Sequence, residues 1–506
     1  WRPSMPRYSY ERLSAQDNTF LLFETRNVHM HVASTLVFES GPLKTREGGV
    51  DFERIKRGFE AVLHLVPRYR QRIQHIPIEG RAVWVDDPHF SIDYHIRHTA
   101  LPKPGDESQL KKLSSRIMAQ QLDRRRPLWE TWVVEGLEGG ERFAMISKIH
   151  HCMIDGASGV DLAQIQFSTS SDVPDPKPAP RFMPRPAPSA AELARDELTR
   201  WLTLPLRAAR GFREFSAETK DLRSELFARA RALLDTLGMA TGASETPLNG
   251  QLGPHRAFDW LHVPLSEMKA MRKALGCTIN DVVLTVVTGA VREYLKHRGV
   301  RPEGIDFRIA APVSTRSEAE RGSLGNHVSS WVVPLPIAES DPHEQLAAIH
   351  AETQRLKETR QALGVEMMMK VAEYTPPILL TLGARSISGP INTIVTNVPG
   401  PQFPLYFHGA KLLALYPQVP LMENLGIGIA LASYDGTVHW GFNADPDIVP
   451  DLETFVALVR GAYDGVARAA GVPVEPHAGM RMIDGARRQA QGPNGSPRRA
   501  PTPRIA

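Results

Sequence analysis

Two adjacent histidines and a carboxylate four residues on, in His150-His151-Cys152-Met153-Ile154-Asp155-Gly156, are the side chains here best suited to moving a proton. Imidazole has the side-chain pKa nearest neutrality, which suits a general base. A nearby carboxylate can orient such a ring or brace its loop through an arginine. Other chemistries fit less well. Gly156-Ala157-Ser158-Gly159-Val160 ends in Val where a hydrolase elbow needs Gly. Gly426 and Gly428 lack the third glycine of a dinucleotide site. His150, His151 and Asp155 fall short of a closed zinc set, so no metal and no cofactor is expected.

Phe143 to Ile149, with few breakers and β-branched and aromatic content, predicts a strand leading into the motif. Side chains alternate along a strand, so if it continues, His150 and His151 face opposite ways and only one enters a given cavity. Gly156 permits a turn, and Val160 to Phe167 predicts a helix leading away. The motif therefore sits at a strand-to-helix corner.

At 506 residues the chain is too long for one ordinary core, and two domains are expected. Its 42% hydrophobic and 23% charged residues are those of a globular protein. A net charge of +4 is compatible with acidic ligands or an anionic membrane face and does not point to nucleic acid. Two cysteines, Cys152 and Cys277, make no disulfide framework, which fits a cytoplasmic setting. Trp1 to Met5 holds no apolar signal core. No run approaches the roughly 18 apolar residues of a spanning helix, so any work on lipid is expected from the membrane surface.

Along the chain, Ser14 is placed to cap a helix carrying Phe20 to Leu22, Met30 to Phe38 predicts a strand, and Phe52 to Val66 a helix stopped at Pro67. Strand-like pieces follow around Val83 to Val85 and Ile92 to Ile96, then a helix over Leu110 to Gln121 and a strand at Trp132 to Val134. Residues 172–188 are punctuated by proline. Ala190 to Leu237 is Arg-rich and helical, either resting on a membrane or bridging two domains. The second half predicts strands at Phe258 to Val263, Ile309 to Val313, Ser329 to Val333 and Asn392 to Val398. Helices are predicted over Leu265 to Ala274 (capped near Ser266), Val282 to Leu295, Pro342 to Arg360 and Asp451 to Ala470. Asp435-Gly436 marks a hairpin between Leu425–Tyr434 and Thr437–Phe442.

His-His-x-x-x-Asp-Gly at a strand end is the signature of the acyltransferases built on the chloramphenicol acetyltransferase fold, condensation domains of peptide synthetases included. Other matching residues are Leu13-Ser14 to Asp17, Met30-His31-Val32, Pro127-Leu128-Trp129, Pro247-Leu248-Asn249-Gly250 with Arg256, and Asn280-Asp281-Val282-Val283. Pro312 to Arg316, Gly325-Asn326 and Asn397-Val398-Pro399-Gly400-Pro401 complete the set. Together they resemble the bacterial wax ester synthase/acyl-CoA:diacylglycerol acyltransferases, triacylglycerol synthases of actinobacteria among them. They run in family order over roughly residues 8–470, and Gln251 departs where another proline is frequent.

The resemblance implies an α/β protein with mixed sheets, two chloramphenicol acetyltransferase-like lobes joined by a helical linker. On the sequence these fall at 1–171 and 246–472, with the Pro-rich loop and Arg-rich helices at 172–245 and a basic tail at 473–506. It also implies transfer of a fatty acyl group from acyl-CoA, a substrate and no cofactor, to the hydroxyl of diacylglycerol or a long-chain alcohol. His151 is then the base and His150 its companion. Asp155 braces the loop through Arg70, or through Arg316 as second choice. Asn280 and the Gly156 amide are candidates to stabilise the thioester oxygen. Asn280 also reads as a helix N-cap, Asp281 as structural, Pro127-Leu128-Trp129 as packing and Asn397 to Pro401 as a shaped turn. A related acyltransferase esterifying a polyketide or other non-glyceride acceptor, or a catalytically inactive lipid-droplet-binding protein, are the alternatives. A location in the cytoplasm, attached peripherally to membrane or lipid droplets, is expected.

Overall fold

The computed structural model describes residues 8–77, 79–153, 165–172, 178–203, 243–314, 328–358 and 391–474. Within them fifteen strands form three sheets. The smallest joins β1 (Glu11–Arg12), β3 (Gln71–His75) and β4 (Ala82–Asp86) in the order β1-β4-β3. The first six-stranded sheet is built from β2 (His31–Glu39), β5 (Ile96–Ala100), β6 (Trp129–Leu137), β7 (Arg142–His150), β12 (Tyr406–Phe407) and β13 (Ala410–Gln418), ordered β12-β13-β2-β7-β6-β5. The second has β8 (Ala257–Pro264), β9 (Phe307–Ser314), β10 (Val328–Leu335), β11 (Thr393–Pro399), β14 (Ile427–Tyr434) and β15 (Thr437–Ala444), ordered β10-β9-β11-β14-β15-β8. Both are mixed: β5–β6 and β11–β14 run parallel, their neighbours β6–β7 and β14–β15 antiparallel.

Among the described residues, eight helices of two turns or more accompany them: α1 (Ala15–Phe23), α2 (Phe52–Val62), α3 (Glu107–Ala119), α4 (residues 190–203), α5 (Leu265–Leu275), α6 (Ile279–His297), α7 (Pro342–Glu358) and α8 (Leu452–Ala469). Ser14 caps α1 as expected, its Oγ accepting the Asp17 N–H at 3.0 Å. The hairpin also falls where Asp435-Gly436 predicts it, because both turn residues take positive φ, 43° and 81°. α6 is buried over residues 281–288 because it is a core helix: Val282, Val286, Val287, Ala290 and Val291 are completely buried with Trp440, Phe442 and Phe455. No single described helix is long and apolar enough to cross a membrane.

Several expectations are corrected. Ile92 to His95 is a helical turn, and the strand begins only at Ile96. α5 starts after Pro264 without a side-chain cap, so Ser266 does not cap it. The cap of α6 is Thr278, three residues before Asp281, whose carboxylate returns the bond to the Thr278 N–H at 2.9 Å. Asn280 therefore lies inside the first turn and is not the cap.

Residues 406–418 fall within the stretch expected to form the C-terminal lobe, yet as β12 and β13 they close the sheet of the first. β13 pairs with β2 on its edge, and its Tyr416 ring stacks on Trp260 of β8 at 4.4 Å. A side chain at Gly441 of β15 would collide with the Pro417 carbonyl, so only glycine lets the two sheets approach this closely. α4 is divided in character. Leu193 is buried against Ile76, Val83 and Val85, and Asp196 accepts the Tyr10 hydroxyl at 3.0 Å, whereas Leu198, Trp201 and Leu202 are 63%, 45% and 72% exposed. The remainder of the Ala190 to Leu237 stretch, the 160–164 part of the helix predicted after the motif, and the 473–506 tail from Glu475 on lie outside the described residues.

Candidate active site

β7 ends at His150, and the backbone then tightens into a single 3₁₀ turn, His151–Met153. The strand does not continue through the pair, so the turn rather than strict alternation aims the second ring. Two flanking segments hold this corner by their carbonyls. The His150 N–H donates to Leu128 O at 2.9 Å and the His151 N–H to Met30 O at 2.7 Å. Pro127-Leu128-Trp129 and Met30-His31-Val32 thus frame the histidines from either side. Trp129 also packs as expected, 2% exposed, its indole N–H donating to Tyr69 O at 2.8 Å.

The two rings stand in different surroundings. His150 is 1% exposed; its Nδ1 accepts the Cys152 N–H at 3.1 Å and its Nε2 lies 3.3 Å from Glu24 Oε1. His31, directly across the ladder, approaches the same oxygen at 3.5 Å. His151 is only half-buried, with its ring 4.1 Å from that of Phe20 on α1. Its Nδ1 is buried and finds no partner among the described residues. Burial, helped by neighbouring His150, pushes this imidazole from 6.5 down to about 4. It is therefore neutral and able to accept a proton at neutral pH. Cys152 beside it is buried, which drives its thiol well above the usual range and disfavours the thiolate that nucleophilic attack would need.

Glu24 is the residue that sequence reasoning missed. Burial alone would raise its carboxyl, but His150, His31 and Arg124 outweigh that and hold it below the usual carboxylate range. Arg124 donates to Oε2 at 2.6 and 3.1 Å, and the Met30 N–H to Oε1 at 3.1 Å. The available signal was a lone carboxylate ending the apolar run Phe20 to Phe23, just before Met30-His31.

Asp155, Gly156 and Arg316 lie outside the described residues. Arg70 stacks over Phe182 at 4.3 Å, and its buried Nε has no hydrogen-bond partner among the described residues. In the second lobe, Asn280 at the start of α6 is exposed and its Oδ1 accepts Asn397 Nδ2 at 2.8 Å. The Asn-Asp and Asn-Val-Pro-Gly-Pro motifs thus meet. Asp281 points inward, accepting Thr353 Oγ1 at 2.9 Å and lying 2.8 Å from His350 Nδ1, and so ties α6 to α7.

Two interlocked mixed sheets with a histidine corner at the end of β7 are the architecture of chloramphenicol acetyltransferase-like acyltransferases. Solved structures agree. A wax ester synthase/diacylglycerol acyltransferase from Marinobacter aquaeolei VT8 superposes with a TM-score of 0.62 at 24% identity, covering 91% of this chain and 100% of its own. The first condensation domain of the calcium-dependent antibiotic synthetase gives 0.58 at 16%, covering 93% and 98%. The wax ester synthase/diacylglycerol acyltransferase catalytic domain matches residues 13–283, and the C-terminal domain of the same family matches residues 324–466. A Mycobacterium tuberculosis protein named diacylglycerol O-acyltransferase tgs1 is 32% identical over 481 residues, 91% of this chain and 96% of the relative. Another from that species, also named a diacylglycerol O-acyltransferase, is 30% identical over 456 residues, 87% of each. The chain belongs to the wax ester synthase/diacylglycerol acyltransferase family and is an acyl-CoA-dependent O-acyltransferase.

Proposed function

We propose that the enzyme transfers a long-chain fatty acyl group from acyl-CoA to the hydroxyl of diacylglycerol, with a long-chain alcohol as a further acceptor. His151 acts as the general base. The observation that carries this reading is the half-buried imidazole of His151 in the turn after β7, where burial favours its neutral form. As the acceptor oxygen bonds to the thioester carbon, its proton passes to His151. The tetrahedral intermediate then collapses, the carbon–sulfur bond breaks, and the imidazolium returns the proton to the CoA sulfur. Base assistance of this kind supplies roughly 10²–10⁴ in rate, so substrate positioning must contribute comparably.

The charge that gathers on the thioester oxygen needs donors. Asn280 serves there: its Oδ1 is occupied by Asn397, which leaves its own Nδ2 to donate. The Gly156 amide is the second donor. Asp155 pairs with Arg70, whose Nε is buried without another partner among the described residues. Direct transfer, without an acyl-enzyme, is supported by the raised Cys152 thiol. The exposed Leu198, Trp201 and Leu202 of α4 suit peripheral attachment to a membrane or lipid droplet from the cytoplasm.

Radiolabelled palmitoyl-CoA, offered separately with dioleoylglycerol and with hexadecanol, tests the reading by thin-layer chromatography. Labelled triacylglycerol is expected, with wax ester as the second product. Labelled free fatty acid alone with either acceptor would overturn it.

A further inference from the structure

Glu24 closes α1 with extended backbone and is almost fully buried, its side chain 2% exposed. Two routes lead from its carboxylate to the turn that carries His151, one hydrogen-bonded throughout and one that starts from a close charge contact with His150. In the first, Oε1 accepts the Met30 N–H at 3.1 Å, and the carbonyl of that same residue accepts the His151 N–H at 2.7 Å. In the second, Oε1 lies 3.3 Å from His150 Nε2, while Nδ1 of that ring accepts the Cys152 N–H at 3.1 Å. Accepting at Nδ1 requires that nitrogen to be bare, so the ring proton sits on Nε2, toward the carboxylate. No three of the described His, Cys, Asp and Glu side chains could share a metal ion. Arg124 holds the other carboxylate oxygen, which leaves Oε1 for the two routes.

We propose that Glu24 is a positioning residue for acyl transfer: through Met30 and through His150 it fixes the turn from both ends and so sets where the His151 ring stands. This rests on His151 being the base. The residue touches no substrate; it acts through the backbone amides of His151 and Cys152. Glutamine in its place keeps an acceptor for Met30 but loses the charge that faces His150 Nε2. Alanine loses both routes.

Steady-state kinetics with palmitoyl-CoA and dioleoylglycerol test this on Glu24→Gln, Glu24→Ala, His150→Ala, His150→Asn and His151→Ala. Misplacing a catalytic group by about 1 Å can cost about 10²-fold, so Glu24→Gln is expected to lower kcat about 10-fold and Glu24→Ala about 10²-fold, with KM for palmitoyl-CoA unchanged. The asparagine Oδ1 can take the Cys152 N–H as Nδ1 does, so His150→Asn retains more activity than His150→Ala. Wild-type kcat in both folded Glu24 variants, or a loss confined to KM or to melting temperature, overturns the role of Glu24. If those variants do not fold, equal damage in His150→Asn and His150→Ala overturns it instead. An active His151→Ala removes the base itself, which separates that failure from this one.

Discussion

At the end of β7 the first lobe buries His31, His150 and Glu24 within a few ångströms of one another, with Arg124 reaching in from the rim. Where β11 meets α6, the second lobe exposes two amides, Asn280 and Asn397, joined by one hydrogen bond. Buried charge is costly to leave unpaired, so the first arrangement tolerates little movement. Neutral amides in contact with solvent can turn to meet an oxygen whose charge changes during reaction. The difference suits a fixed base on one side and adaptable donors on the other. It also means that stability and rate are entangled at the buried His31, His150 and Glu24 group and separable at the two amides.

Four substitutions break or sharpen that contrast. His151→Ala should lose roughly 10²–10⁴ in kcat while melting near wild type, because the ring is half-buried and makes few bonds; His150→Ala should lose less. Lys148, 1% exposed, donates to Ile117 O and Gln120 O at 2.7 and 2.8 Å and sits 2.8 Å from Glu130 Oε1. Lys148→Ala leaves that carboxylate to Arg97 alone, 3.4 Å from its other oxygen, and should cost about 3 kcal/mol in denaturant unfolding. Asn280→Ala should lower kcat about 10²-fold with an unchanged melting curve, as for removal of one oxyanion donor. A large drop in stability there would dissolve the contrast between the lobes.

Much of this arrangement was legible in the chain. The strand into His150 and the Asp435-Gly436 hairpin follow from local pattern, and the two mixed-sheet lobes from the family resemblance that the motifs carry. β13 was not legible. Its alternation of Ala410, Leu412, Ala414 and Tyr416 is strand-like, but its partner β2 lies at the far end of the sequence, and only tertiary pairing assigns it to the first lobe. Asn280 misled because Asn is a favoured cap, while Thr278 two residues earlier forms the reciprocal pair with Asp281. Glu24 escaped because a single carboxylate after a helix reads as a solvated end. Its role depends on His31 and His150 arriving from two other strands.

The state of the His151 imidazole is tested most directly by the pH dependence of kcat/KM for palmitoyl transfer to dioleoylglycerol, with folding followed by circular dichroism. A base acts only when deprotonated, and this one is held down to about 4, so kcat/KM should be flat near neutrality and fall as pH drops through that value. A fall centred near the ordinary histidine value of 6.5, in protein that remains folded, would contradict a half-buried neutral base in the turn after β7.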